Sequence, residues 1–221
     1  MIVLKRMMQG GKVVTGAGPQ GDATICTLND HAVTSGATAV CAIMTGDKII
    51  VANAGDSRAV LCRSGHAVPL SFDHKPVQDR EMRRISQAGG FITEANGHHR
   101  VNGNLNLSRS LGDSKYKQNE GLGWAEQILS GEPDILEESI NFDTDSFIAL
   151  ACDGVWDVMT NEELVLFVHE KLAQEPKPPL SKICEDVLNF CIASDPKDPR
   201  CKGVGTDNMT MVLVELGHYY S

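Results

Sequence analysis

Thr38-Ala39-Val40-Cys41-Ala42-Ile43-Met44, then Thr45-Gly46-Asp47, then Lys48-Ile49-Ile50-Val51-Ala52-Asn53, then Ala54-Gly55-Asp56-Ser57, then Arg58-Ala59-Val60-Leu61-Cys62: this stretch decides the fold class. Its apolar runs are short, rich in β-branched residues and broken by Gly and Asp. Such runs read as antiparallel strands joined in hairpins, with Asp56 at the tip of the second one.

Working outward, Pro76–Ala88 reads as a helix. Pro76 suits a first turn, Met82, Ile85 and Ala88 share one face, and Gly89-Gly90 ends it. Ser146–Ala151 is continuously apolar, as expected of a strand buried on both faces. A second helix is expected over Thr160–Gln174. Thr160 and Glu163 form a capping-box pattern, and Leu164, Val165, Phe167, Val168 and Leu172 make one stripe. Glu175-Pro176-Lys177-Pro178-Pro179 breaks the pattern, and Ile183, Val187, Leu188, Cys191 and Ile192 mark a third helix. Met209–Leu216 reads as a closing strand. Many antiparallel strands with one early helix and two adjacent late ones imply a sheet core with helices packed outside, not a βαβ alternation. Residues 1–34, with their scattered glycines, read as a poorly ordered leader ahead of a domain over residues 35–217. Gly16-Ala17-Gly18-Pro19-Gln20-Gly21 satisfies G-x-G-x-x-G, but Pro19 interrupts it and no helical period follows, so no dinucleotide site is read there.

The length of 221 residues suits one domain. A net charge of −9 excludes broad binding to nucleic acid or anionic membranes, which needs clustered Lys and Arg. No run approaches the ~18 consecutive apolar residues of a membrane span. Met1–Met8 lacks the organisation of a signal peptide. The seven cysteines are odd in number and show no C-x-x-C spacing, which fits reduced, buried thiols in an intracellular protein, cytoplasmic or nuclear.

The chemistry is expected at aspartates near strand ends. Asp153 follows the buried strand, with Gly154 allowing a sharp turn, and Asp157 comes before the capped helix. Asp207 precedes the last strand, and Asp56 lies in Gly55-Asp56-Ser57-Arg58. Each alone reads equally well as a turn residue. If strand order brings these tips to one edge, their carboxylates would repel at neutral pH unless cations neutralise them. Oxygen-only ligands select Mg²⁺ or Mn²⁺ over zinc. Two such ions would acidify a water and clamp a phosphoryl group. Competing signatures fail. There is no Cys-x₅-Arg loop, no G-x-S-x-G and no P-loop, and Asp143-Thr144-Asp145 lacks an apolar strand before it. An EF-hand starting at Asp143 would need Gly where Ile148 stands, and the histidines show no ligand spacing.

Eight segments in order carry a resemblance: Ser35-Gly36-Ala37-Thr38-Ala39, Val51–Arg58, Asp73-His74-Lys75-Pro76, Ala88-Gly89-Gly90, Arg100-Val101-Asn102-Gly103, Ser108–Asp113, Ala151–Asp157 and Thr206–Thr210. With them the chain resembles the PPM-type metal-dependent protein serine/threonine phosphatases over residues 35–216. The resemblance implies a sandwich of two antiparallel β-sheets flanked by α-helices (α+β, within the broad α/β class). It also implies a two-metal site of Mg²⁺ or Mn²⁺ at one end, phosphoprotein substrates and a monomeric enzyme. By that likeness Asp153 and Asp207 hold one ion of the pair, while Asp56, Asp153 and Asp157 match positions around a third, weaker ion. Arg109 and Asp113 lie in a family motif, and neither receives a catalytic role. The family's earlier stretch holds a phosphate-gripping Arg, an acidic ligand and an Asp-Gly-His-Gly-Gly-like motif. None of these occurs here, so the chain is expected to match the C-terminal part of such a domain, incomplete at its N-terminal side. Two functions stay open: phosphatase, or an impaired fragment or pseudophosphatase serving as a binding module.

Overall fold

The computed structural model describes residues 2–7, 35–95, 97–195 and 204–217. Eleven strands lie in three sheets among these residues. Strands β2 (Gly36–Thr45) and β3 (Lys48–Ala54) form the expected hairpin, with Thr45 opposite Lys48. Gly46 closes the turn at φ +58°, a left-handed conformation that glycine adopts without a Cβ penalty. β9 (Asp134–Ser139) pairs with the far side of β3. β1 (Ile2–Met7) pairs antiparallel with β2, so these six residues join the sheet instead of forming part of a loose leader. The short β8 (Leu111–Gly112) also meets β2 at Gly36 and Ala37. The glycine motif at Gly16–Gly21 lies outside the described residues.

The second sheet runs β11 (Met211–Glu215), β10 (Asp145–Ala151), β4 (Arg58–Arg63) and β5 (His66–Pro69). Here the structure corrects the sequence reading. β3 and β4 lie in different sheets, so Gly55-Asp56-Ser57 is a crossover between layers and not a hairpin tip. The chain can make this step because Gly55 takes φ +120°, and a Cβ there would stand 2.4 Å from Thr38 Cγ2. The third sheet is the hairpin of β6 (Ile92–Ala95) and β7 (His98–Val101).

Alternation along the strands builds two apolar layers. Val40, Ile49 and Val51 from the first sheet meet Ala59, Leu61, Ile148 and Leu150 from the second. On the other face of the second sheet, Val60, Cys62, Phe147, Ala149 and Ala151 pack under helices α3 (Asn161–Leu172) and α4 (Leu180–Cys191), which supply Leu164, Val165, Val168, Ile183, Val187 and Cys191. β10 is therefore buried on both faces, and its continuous apolar run follows from that. The capping box is in place: Glu163 N–H donates to Thr160 Oγ1 at 3.2 Å, and Thr160 N–H donates to the Glu163 carboxylate at 2.8 Å. The outer face of the first sheet, by contrast, leaves Ile43 and Ile135 exposed.

Helix α1 (Asp79–Gln87) starts later than Pro76, and of the three residues expected on its inner face Ile85 and Ala88 are buried. Met82 is exposed, whereas Glu81 is buried beside Ile85. A carboxylate can sit there because Arg109, itself 1% exposed, reaches it with Nη2–Oε1 at 2.6 Å.

Candidate metal and phosphate site

The site is built at the end of β10. The strand stops at Ala151, Cys152 stays extended, and a four-residue helix α2 (Asp153–Trp156) begins at once. Cys152 N–H donates to Thr210 O at 3.1 Å, and Thr210 N–H reaches Cys152 Sγ at 3.2 Å, so the contact between the β10 and β11 arms continues past the strands. Gly154 is the close contact: a Cβ there would lie 2.7 Å from Asn208 O. Thus Asp207-Asn208-Met209 rests on the first turn of α2, which brings the backbone of Asp153 and that of Asp207 to one rim. Asp153 is 4% exposed, and Asp207 is exposed. Asp157, one turn on, donates its N–H to Asp153 O at 2.7 Å and is exposed.

α2 is held from beneath. Arg58 grips Asp73 through Nε and Nη2, both at 2.8 Å, donates from Nη1 to Asn161 at 2.6 Å, and lies 5.1 Å over the Trp156 ring. Trp156 Nε1 donates to Ala151 O at 2.8 Å, which pins the helix to the strand it leaves.

Asp56 is placed differently from the sequence expectation. It is fully buried, and its Oδ2 accepts from Lys75 Nζ at 2.7 Å, while Oδ1 meets no donor. Burial alone would lower the Lys75 pKa; the Asp56 carboxylate, with smaller help from Asp73 and Asp157, outweighs burial and raises it. Among the described residues no group of three or more His, Cys, Asp or Glu side chains stands close enough to hold a metal ion. The expected cluster of Asp56, Asp153, Asp157 and Asp207 is therefore not gathered as one set, and the physical reason at Asp56 is that an ammonium already occupies its hydrogen-bonding oxygen. Asp153 and Asp207 carry the hard oxygen donors that a divalent ion takes, but two carboxylates do not complete its usual six oxygen ligands.

Several residues behind the rim were not read as functional. Glu81 accepts from Arg109, from Ser108 Oγ at 2.6 Å and from Arg84 Nη1 at 2.5 Å. Burial pushes its pKa up, but Arg109, Ser108 and Arg84 outweigh that and hold it at about 2. Arg109 also reaches Asp134 at 2.8 Å. Asp134 in turn faces His74 Nε2 at 3.2 Å, and the Gly55 N–H donates to His74 Nδ1 at 3.1 Å, so the chain of contacts ends at the crossover that carries Asp56. Burial, and next the nearby Arg109 charge, lower the His74 pKa. Asp113, in a left-handed turn at φ +52°, accepts from Ser110 Oγ at 2.6 Å and lies over Gly36, where a Cβ would stand 1.9 Å from its Oδ2. Burial raises the Asp113 pKa. One signal in the sequence could have found Glu81, namely that it lies four residues before Ile85 on the same helical face.

Antiparallel sheets with helices packed outside are the architecture of PPM-type phosphatases. The chain belongs to the protein phosphatase 2C family, whose model matches residues 18–199, a match that begins inside the stretch read as a leader. It is 48% identical over 182 residues to a probable protein phosphatase 2C 60 of Arabidopsis thaliana, covering 82% of this chain and 48% of the relative. It is also 48% identical over 186 residues to a probable protein phosphatase 2C of Caenorhabditis elegans, covering 83% and 49%. The chain thus spans about half the length of these relatives. Among solved structures, a phosphatase from a pathogenic strain of Toxoplasma gondii superposes with a TM-score of 0.65 at 27% identity, over 98% of this chain and 63% of that one.

Proposed function

We propose that the protein is a metal-dependent protein serine/threonine phosphatase that hydrolyses phosphoserine and phosphothreonine in proteins, with Mg²⁺ or Mn²⁺ as cofactor. One observation carries this reading: in a protein phosphatase 2C family member, the Gly154–Asn208 contact seats the Asp207 loop on the helix that Asp153 opens. Asp153 and Asp207 would hold the divalent ion, with further ligands from beyond this pair. When bound, the ion supplies charge for the phosphoryl oxygens and acidifies a water. The chain's own residues supply rigidity. Arg58 and Trp156 fix α2, and Cys152 with Thr210 fixes the loop, so that the two carboxylates are held in place before substrate arrives. No residue of the chain is assigned as acid or nucleophile. Phosphoproteins are the proposed substrates and a monomer the proposed state. An intracellular setting, cytoplasmic or nuclear, accords with the five free cysteines among the described residues.

A second reading, an impaired fragment or pseudophosphatase acting as a binding module, draws on a specific observation: no group of three metal-ligating side chains gathers among the described residues. Phosphate release from a phosphothreonine peptide separates the two. The phosphatase reading expects release with Mn²⁺, none with chelator, and a loss of about 100-fold or more in Asp153→Asn. No metal-dependent release at high protein concentration would favour the binding module.

A further inference from the structure

Arg80, Arg84 and Gln87 recur at the i, i+4 and i+7 positions of α1, so they share one helical face. That face lines a cavity of about 180 Å³, and the buried Arg109 and the loop at 122–126 complete its walls. Three guanidiniums around one small space repel one another, and like charges four apart on a helix are unfavourable. Glu81 and Asp134, which pair with these arginines, are not part of the lining. Glu126 and Glu132 are part of it. Glu126 accepts the Gly123 N–H at 3.0 Å, and Glu132 stands 3.8 Å from Arg80 Nη2, beyond hydrogen-bond reach. Donors remain, because an arginine has five N–H groups. Arg84 places three of them, on Gln127 O, Ser108 O and Glu81, and its other two meet no acceptor among the described residues. Arg80 makes one hydrogen bond, to Asp134. Burial is the largest influence on Arg84. With the charges of Arg109 and Arg80 it outweighs Glu81 and lowers the Arg84 pKa, so the chain does not fully compensate this cation.

We propose that this cavity is a binding site for a phosphate-class oxyanion, taken up either as free phosphate or as a phosphoryl group carried by a peptide. Its donors come from two sides, from helix α1 and from Arg109. An anion with three acceptor oxygens suits that arrangement, whereas a carboxylate offers two oxygens in one plane. The volume also fits: at ~30 Å³ for each water the cavity has room for a phosphoryl group with a few waters, and not for a bulky organic ligand. None of Asp56, Asp153, Asp157 and Asp207 lines it, so the site does not depend on the divalent ion.

The experiment is calorimetry in chelator and low salt, on the full 221-residue chain, so that no divalent ion contributes. The probes are inorganic phosphate and one peptide in three forms, with phosphoserine, serine or aspartate at the same place. The variants are Arg80→Gln, Gln87→Glu and Arg83→Gln. Arg83 is the control, an exposed arginine of the same helix that does not line the cavity. Saturable uptake of phosphate or of the phosphoserine peptide is expected. It should weaken at least ~5-fold in Arg80→Gln, at least ~10-fold in Gln87→Glu and less than about twofold in Arg83→Gln. Arg80, Arg83 and Gln87 are exposed, so each variant should keep the wild-type Tm within about 2 °C. Tighter binding of the phosphoserine peptide than of inorganic phosphate would assign the site to phosphoproteins, and equal or weaker binding would assign it to free phosphate; either supports the proposal. No uptake of either probe would overturn it. So would uptake that Arg80→Gln and Gln87→Glu leave unchanged, or that Arg83→Gln weakens as much, which would mean diffuse charge attraction. An aspartate peptide that binds as tightly as the phosphoserine form would also overturn it, in favour of a carboxylate site. The proposed function is decided separately, by Mn²⁺-dependent phosphate release.

Discussion

Two sets of carboxylates in this protein are held by different means. Glu81, Asp56 and Asp145 are buried, and each is met by a fixed side-chain cation: Arg109 with Arg84, Lys75, and Arg63. Asp153 and Asp207 are positioned by backbone, through an abrupt strand-to-helix junction and a loop that packs on Gly154. The difference separates acids that tie elements together from the two acids that the proposed function gives to a divalent ion. An acid that is neutralised within the chain anchors elements to one another. Under the proposed function, the acids at the end of β10 and before β11 receive a cation from outside the chain.

Breaking the first kind should cost the most. Arg109→Ala leaves Glu81 buried without its main partner and should destabilise the chain by about 3–5 kcal/mol in urea unfolding. Arg109→Lys should recover only part of this, because a single ammonium cannot reproduce the forked contact to Glu81 and Asp134. A loss under ~1 kcal/mol in the alanine variant would show that the network carries little of the stability.

The same contrast sharpens with acid. The folded-state pKa of Glu81 is held at about 2, below its ordinary 4.5. A depressed carboxylate pKa gives stability that is present above the unfolded value and is lost as pH falls through the folded one. Stability should therefore decline by a few kcal/mol between about pH 4.5 and pH 2. Glu81→Gln should have a flatter profile over that window. A variant with the wild-type slope would place the acid sensitivity elsewhere.

The second kind is broken through the backbone. A Cβ at Gly154 would meet Asn208 O at 2.7 Å and Met209 Cγ at 2.8 Å, so Gly154→Ala must push the Asp207 loop off α2. The expected cost is about 1–3 kcal/mol, with Mn²⁺ affinity falling alongside it. An alanine variant that binds Mn²⁺ as wild type would mean that the loop contact does not set the rim.

Much of this was legible in the residues, for local reasons. The hairpin at Gly46-Asp47, the doubly buried β10 and the capping box at Thr160 each follow from a period or a cap contained within a few residues. The misreadings share a non-local cause. Gly55-Asp56-Ser57 has turn composition, but composition does not say which sheet the next strand joins. Met82 was expected inside, yet Glu81 takes the buried place, because hydropathy does not register an arginine 28 residues away. Ile2–Met7 carries Lys5 and Arg6 within a short apolar run, and only pairing with β2 makes it a strand. Asp153 and Asp207 stood out because strand ends and a following glycine are visible locally. Asp56 looked the same in sequence, and its pairing with Lys75, 19 residues further on, shows only in the fold.

The most direct test of the rim is the Tm shift on adding Mn²⁺ at about 100 times its Kd, for wild type, Asp153→Asn and Asp207→Asn. Binding of that strength should raise the wild-type Tm by about 5 °C or more, and both variants should lose the shift. A wild-type shift that survives in either variant would contradict the assignment of that carboxylate, and a wild-type Tm that Mn²⁺ leaves unmoved would contradict the metal site as a whole.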